Sequence, residues 1–148
     1  MRARLRRFSL TKAVPLTISR GTSRGVERVL VEIEHDGTTG QGESGGFDTG
    51  HRRFSTDEVA AELDALLPRL ESPDGLGRPR DPSERQALQP LLAGLSPPAR
   101  CAIDLALHDW WGRRLGQPLW RLWGLNRQAC APTSVTLGLG TVEQVRAR

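Results

Sequence analysis

The chain has 148 residues, 37% hydrophobic and 26% charged, with a mean hydropathy of -0.42. That balance points to one globular domain and excludes wholesale disorder, and no run approaches the roughly 18 apolar residues of a membrane-spanning helix. The formal net charge of +4 gathers in residues 1–28, where Arg2, Arg4, Arg6, Arg7, Lys12, Arg20, Arg24 and Arg28 stand against Glu27 alone, but Lys12 is the only lysine and no helix-turn-helix, zinc-finger or RNP-type pattern accompanies it, so no nucleic-acid partner is expected.

Residues 4–16 read as a first strand on Leu5, Phe8, Leu10 and Val14, ended by Pro15. Thr17 to Gly25 is polar and glycine-bearing, the composition of a loop. Val29, Val31 and Ile33 alternate through a second strand with one buried face. Asp36-Gly37 is the strongest short hairpin signal, because both central positions of a type I′ turn need positive φ. Thr38 to Glu43 is then the returning strand, with Glu43 following a G-x-G turn at its end. Ser44 to Phe54 reads as a mobile loop.

Three S/T-x-x-E/Q capping boxes mark helix starts. Ser55 and Glu58 open an amphipathic helix with Val59, Leu63, Leu66, Leu67 and Leu70 on one face. Pro73 to Pro82 is a broken connection. Ser83 and Gln86 open a short helix ending near Gly94, and Thr141 and Gln144 open a last one that Arg148 cuts. The clearest helix has Ser96 as N-cap and Pro97 at N1. Ala99, Ala102, Ile103, Ala106, Leu107 and Trp110 make a narrow face of small residues suited to close packing. Arg100, Asp104 and His108 form an i, i+4 polar stripe. Gly116 stops this helix and Pro118 starts a short one to Gly124. Pro132 to Leu139 is strand-like.

The N-terminal sequence lacks the apolar core of a secretory leader. Cys101 and Cys130 have neither C-x-x-C nor metal-ligand spacing. A cytoplasmic, disulfide-free protein without a membrane partner is expected.

The fold class expected is α+β, a three-stranded antiparallel meander followed by a helical bundle, with the meander packed on residues 97–114. This order, with Gly40-Gln41-Gly42-Glu43 and Ala102-Ile103-Asp104-Leu105-Ala106-Leu107-His108-Asp109, resembles the N-terminal capping domain of the enolase superfamily. Gly116-Gln117-Pro118-Leu119 and Leu122-Trp123-Gly124 fit the same pattern. Pro15-Leu16-Thr17-Ile18-Ser19-Arg20-Gly21 and Thr133-Ser134-Val135-Thr136 resemble the dipeptide epimerases of its mandelate racemase/muconate lactonizing branch. The resemblance implies that residues 1–126 are the cap. It implies that residues 127–148 are a linker, the first barrel strand and the start of the first barrel helix. The remaining barrel would be a missing partner domain.

The implied reaction is removal of the proton α to a carboxylate, with Mg²⁺ in the parent enzyme holding the enediolate charge. An L-Ala-D/L-Glu-type dipeptide, or another small carboxylate, is the implied substrate, and a homo-oligomeric parent is expected. The alternatives are the cap of a muconate cycloisomerase or o-succinylbenzoate synthase, and, from another class, a basic nucleic-acid-binding module with a contiguous arginine surface. The lysine bases and carboxylate ligands of the family lie on later barrel strands, so this chain is expected to hold no catalytic base and no metal ligand, and to be inactive alone.

Three residues are candidates for substrate binding through the resemblance. Arg20 would reach over the barrel mouth and pair with a substrate carboxylate, against the plain reading of a solvated arginine. Arg24 replaces it if the loop register differs. Thr136 would offer a hydroxyl from the first barrel strand, with Thr133 on the opposite face by period 2. Glu43 reads as a structural carboxylate. His108-Asp109 resembles the HD dipeptide of phosphohydrolases, but only His35 and His51 remain as further histidines. Trp110, Trp111, Trp120 and Trp123 fall at helical spacing as core or domain-interface anchors.

Overall fold

The computed structural model describes residues 1–74, 78 and 80–147. Gly75, Leu76, Gly77 and Pro79 of the expected connection, and Arg148, lie outside them. Strands β1 (Arg2–Ile18), β2 (Gly21–His35) and β3 (Thr38–Ser44) form one antiparallel sheet in the order β1-β2-β3. At the β2–β3 turn Asp36 has φ 49° and Gly37 φ 70°, the geometry that the Asp-Gly pair predicts. Period 2 then sorts the strands into two faces. Ala3, Val29, Val31 and Ile33 are buried on one, and the Arg2-Glu34 and Arg4-Glu32 pairs lie on the other.

Helices α1 (Thr56–Glu71), α2 (Arg85–Leu92) and α3 (Pro97–Leu115) complete the core. All five apolar residues expected on α1 are buried, as are all six expected on α3. The Ser55–Glu58 capping box forms, and Gly116 ends α3 in the left-handed conformation at φ 62°. Short helices α4 (Leu119–Leu122) and α5 (Val142–Arg146) follow, the second on the Thr141–Gln144 capping box.

β3 and α3 approach each other backbone to backbone. A side chain at Gly42 would meet the backbone oxygen of Ala102 and lie 2.6 Å from Ala106 N, and one at Gly40 would lie 2.5 Å from Trp110 Cβ. The G-x-G motif is therefore not a turn at the strand end. It sits inside β3, where the missing side chains let helix and sheet backbones touch. Trp110 locks the far end, its Nε1–H donating to His35 O at 3.1 Å.

Several local expectations are corrected. The loop expected over Thr17–Gly25 is a two-residue turn, Ser19-Arg20, between Ile18 and Gly21. β-Branched Thr17 and Thr22 pair across it with their hydroxyl oxygens 2.9 Å apart, so strand pairing outweighs polar composition. Pro15 does not end β1, because it falls in an irregularity between Thr11 and Leu16 on an edge strand, where a missing N–H is tolerated. Ser44–Phe54 contains a small hairpin, β4 (Phe47–Asp48) with β5 (Arg53–Phe54).

The Ser83–Gln86 capping box is absent. Ser83 instead donates to Asp81 Oδ1 from its amide (2.8 Å) and its hydroxyl (2.7 Å), and Glu84 becomes the N-cap. Ser96 caps α3 by position, but its hydroxyl makes no capping bond; with proline at 98, the N2 N–H it might have met does not exist. The strand expected over 132–139 is not formed among the described residues. A parallel barrel strand needs partners on both sides, and here the segment meets β1 at one point.

Gly42→Ala should cost on the order of 3 kcal/mol of stability, because the new carbon meets backbone that cannot rotate away. Gly94→Ala, where nothing lies within 4 Å, should change stability by less than about 1 kcal/mol. Thermal or urea unfolding of the two variants checks the contrast.

The Ser55 amide and hydroxyl donate to Glu58 Oε2 at 2.8 and 2.9 Å and hold its carboxyl below the usual carboxylate range. A lowered folded value means the stabilisation is present above the unfolded value and lost as pH falls through the folded one. Wild type should melt above Glu58→Gln at neutral pH, and the gap should narrow as pH falls through and below the usual carboxylate range, read from paired melting curves.

Candidate functional site

Arg20 is half of the two-residue turn joining β1 and β2, and its side chain is exposed. The following Gly21 has φ 133°, a conformation glycine adopts without strain. Arg24 lies four residues on, on β2, also exposed. Neither guanidinium has a hydrogen bond or ion pair among the described residues, so both project from the tip of a long hairpin as unspent bidentate donors.

The C-terminal segment returns to this tip. Leu139 N–H donates to Thr17 O at 2.7 Å, and Gly138 beside it is buried. Thr136 lies three residues before Leu139 and is exposed, as is Thr133. The structure thus gathers the Arg20 turn and the Thr136 segment, far apart in sequence, around one backbone contact. It does not separate Thr136 from Thr133 by face, because no ladder holds the segment.

The β4–β5 hairpin lies by Val26 and Glu27 of β2. Asp48 Oδ1 accepts from Gly50 N–H at 2.7 Å and Thr49 N–H donates to Arg52 O at 3.0 Å. Its base is tied down by Gly46 N–H donating to Thr56 Oγ1 (3.1 Å), whose hydroxyl donates to Glu27 O (3.4 Å). Phe47 and Phe54 pack with ring centroids 5.1 Å apart. Phe47 forms part of the wall of two cavities, one of about 330 Å³ with Val26 and Phe54 and one of about 390 Å³ with Arg28, Glu43 and Cys101. Sequence reading passed over this pair. The signal was available in two phenylalanines flanking the turn-forming Asp48-Thr49-Gly50.

The remaining candidates have structural partners. Glu43 lies 3.4 Å from Arg28 Nε. Asp109 Oδ2 accepts from Gln41 N–H and Arg113 Nε, both at 2.8 Å, tying α3 to the edge of β3. His108 is buried rather than on a surface stripe. Its Nδ1 lies 2.8 Å from Asp104 O, which places the proton on Nδ1, and its ring meets Trp123 edge-on at 4.9 Å. His51 is exposed in the β4–β5 hairpin. Among the described residues no three His, Cys, Asp or Glu side chains come together as metal ligands, and Glu43, Asp104 and Asp109 are already engaged by cations or amides. A Mg²⁺ ion therefore has no donor set to fit here.

Trp110 is buried, while Trp111 and Trp120 are half-buried and Trp123 is exposed. A larger cavity of about 780 Å³ lies against Trp111 with Ser83 and Arg85, towards the C-terminal half of α3. Arg85 there is turned to Asp104, so the cavity gathers no reactive set. Among the described residues no helix is long and apolar enough to cross a membrane.

Because Arg20 and Thr136 are exposed and their side chains make no hydrogen bond or ion pair among the described residues, Arg20→Ala and Thr136→Ala should each leave stability within about 0.5 kcal/mol of wild type. Equilibrium unfolding checks this, and a larger loss would show that either side chain is a structural member of the hairpin.

Comparison with known proteins fits this architecture. The family described as mandelate racemase / muconate lactonizing enzyme, N-terminal domain, matches residues 2–124. An L-Ala-D/L-Glu epimerase of Bacteroides thetaiotaomicron is 33% identical over 135 residues, 89% of this chain and 32% of that protein. A hydrophobic dipeptide epimerase of Roseobacter litoralis is 34% identical over 141 residues, 94% of this chain and 38% of that protein. Among solved structures, a dipeptide epimerase from Methylococcus capsulatus complexed with Mg and the dipeptide L-Arg-D-Lys superposes with a TM-score of 0.75 at 31% identity, over 98% of this chain and 40% of that one. The chain spans about a third to two fifths of the length of these relatives. Its meander, its helices and this match make the chain a member of the mandelate racemase / muconate lactonizing enzyme N-terminal domain family, the capping domain of the enolase superfamily.

Proposed function

We propose that the chain is the capping portion of an isomerase that abstracts the proton α to a carboxylate, an epimerase of dipeptides of the L-Ala-D/L-Glu type. Residues 1–126 act as the cap, and residues 127–148 lead into a barrel that supplies the reaction's base, acid and metal ligands. The observation carrying this reading is the meeting of the Arg20 turn with the Thr136 segment at Leu139–Thr17, in a chain whose relatives are dipeptide epimerases. An unpaired guanidinium at a hairpin tip is suited to clasp a carboxylate through two parallel N–H bonds. Thr136, three residues before the Leu139–Thr17 contact, supplies a hydroxyl, and the Phe47–Phe54 pair offers an apolar surface. These groups bind and orient. They cannot take a proton from carbon at neutral pH, because none is a base there.

Two measurements test the proposal. The 148-residue chain with excess Mg²⁺ in D₂O should give no deuterium exchange at the α-carbon of an Ala-Glu dipeptide above the protein-free rate. Exchange above it would place a base within this chain. In the full-length enzyme, Arg20→Ala should raise KM for an acidic dipeptide about ten- to a hundred-fold, the loss of a charge-assisted hydrogen bond, with kcat changed far less. An unchanged KM would remove Arg20 from substrate binding.

A further inference from the structure

The β1–β2 hairpin is two ladders rather than one. Its register runs unbroken from Arg2–Glu34 to Thr11–Gly25, then breaks, and resumes at Leu16–Ser23 for a short outer ladder that ends in the Ser19-Arg20 turn. Across the break β1 supplies Lys12, Ala13, Val14 and Pro15, while β2 supplies Arg24 alone. Extra residues on one strand bend it and re-aim whatever follows, and Pro15 has no N–H to offer a ladder. Strand pairing alone therefore does not fix the direction in which the turn points.

One side chain spans the break. Lys12 Nζ donates to Ser23 Oγ at 2.8 Å, and the Ser23 hydroxyl donates to Gly25 O at 3.4 Å. These bonds start on β1 just past the long ladder, pass through the first β2 residue of the short one, and end on the last β2 residue of the long one. The strands are close there, since a side chain at Gly25 would lie 2.7 Å from Leu10 O, so the clasp is anchored on backbone with little room to shift. Among the described residues no other side-chain hydrogen bond joins the two ladders; Thr17 and Thr22 both belong to the short one. Lys12 is the only lysine, and residues 8–26 hold Lys12, Arg20 and Arg24 with no Asp or Glu. Its ammonium is thus spent on a hydroxyl, a bond that the charge strengthens over a neutral one.

We propose that Lys12 is a positioning residue: acting through Ser23, it holds the short ladder at the angle from which Arg20 meets a substrate carboxylate. This role rests on the substrate contact proposed for Arg20. Three residues separate Ser23 from Arg20, about 10 Å along an extended strand, so a swing of about 10° at the break moves the turn by about 2 Å. Two parallel N–H bonds from a guanidinium to a carboxylate do not survive a displacement of that size. Leu139 N–H, donating to Thr17 O, ties the short ladder to the C-terminal segment, and the Lys12 clasp ties it to the rigid part of the sheet.

The test is steady-state kinetics of the full-length enzyme with an acidic dipeptide. Lys12→Met and Ser23→Ala should each raise KM about three- to ten-fold, the worth of one hydrogen bond, with kcat within about two-fold of wild type. Together they should raise KM no further than either alone, because both remove the same bond. On an Arg20→Ala background Lys12→Met should add less than about two-fold, since no guanidinium is left to place. Melting curves establish that each variant is folded. Should Lys12→Met fail to fold, Ser23→Ala, which removes one hydroxyl, carries the same comparison with and without Arg20. Three results would overturn the proposal while leaving Arg20 in place. The first is a wild-type KM in Lys12→Met or Ser23→Ala when Arg20→Ala raises it. The second is an effect of Lys12→Met that adds in full to that of Arg20→Ala, which would put the ammonium itself on the substrate. The third is a loss of kcat with KM unchanged, which would make the clasp a support of the fold alone. An unchanged KM in Arg20→Ala would remove the substrate role of Arg20 and the Lys12 role with it, so the silent variant tells the two failures apart.

Discussion

Two glycines in one strand set the distance on which this domain is built. At Gly40 and Gly42 the backbone of β3 lies against the backbone of α3, with Ala102 and Ala106 supplying the matching small surface on the helix. Contacts this short multiply dispersion between two rigid elements and leave no room for repacking. Once α3 is seated there, Ile103 and Leu107 reach the core shared with α1, and Trp110 closes the far end on His35. The sheet is consequently buried on one face only, and its other face carries the cross-strand Arg2-Glu34 and Arg4-Glu32 pairs.

The same frame decides where the functional groups stand. The β1–β2 hairpin runs beyond the part of the sheet that α3 covers, so the Arg20 turn projects from the domain rather than into its core. The hydrogen bonds of Thr56 and Gly46 fix the β4–β5 hairpin to the start of α1 and to β2. The segment after α4 comes back to Thr17. Exposed groups on tips held by a rigid base suit the substrate-binding role proposed for this cap. In that base Asp109 ties α3 to β3 through Gln41 N–H, and Glu43 faces Arg28.

Much of the fold was legible because periodicity and caps are local signals. The α1 face, the α3 face, the Asp36-Gly37 turn and two of three capping boxes appear where the residues put them. The failures share a cause. Polar Thr17 and Thr22 read as loop, but cross-strand partners turned them into strand, and pairing is not written in either segment alone. Ser83 matched a capping box, yet Asp81 two residues earlier competed for its hydroxyl. Gly40 and Gly42 read as a turn because glycine's want of a side chain serves backbone freedom and close approach equally, and only the facing alanines of α3 distinguish the two. Thr136 was expected on a strand, but among the described residues its segment pairs with no ladder and meets β1 only at Leu139–Thr17.

If the β3–α3 contact is the frame of the domain, those two elements must open together and last. Native-state hydrogen exchange measures this residue by residue. The account predicts that the core amides of β2, β3 and α3 share the highest protection, equal to the global unfolding free energy, while residues 130–140 and α5 exchange through low-energy local openings. Protection of α3 far below that of β2, with the sheet intact while the helix exchanges, would contradict the claim that the glycine contact holds the structure together.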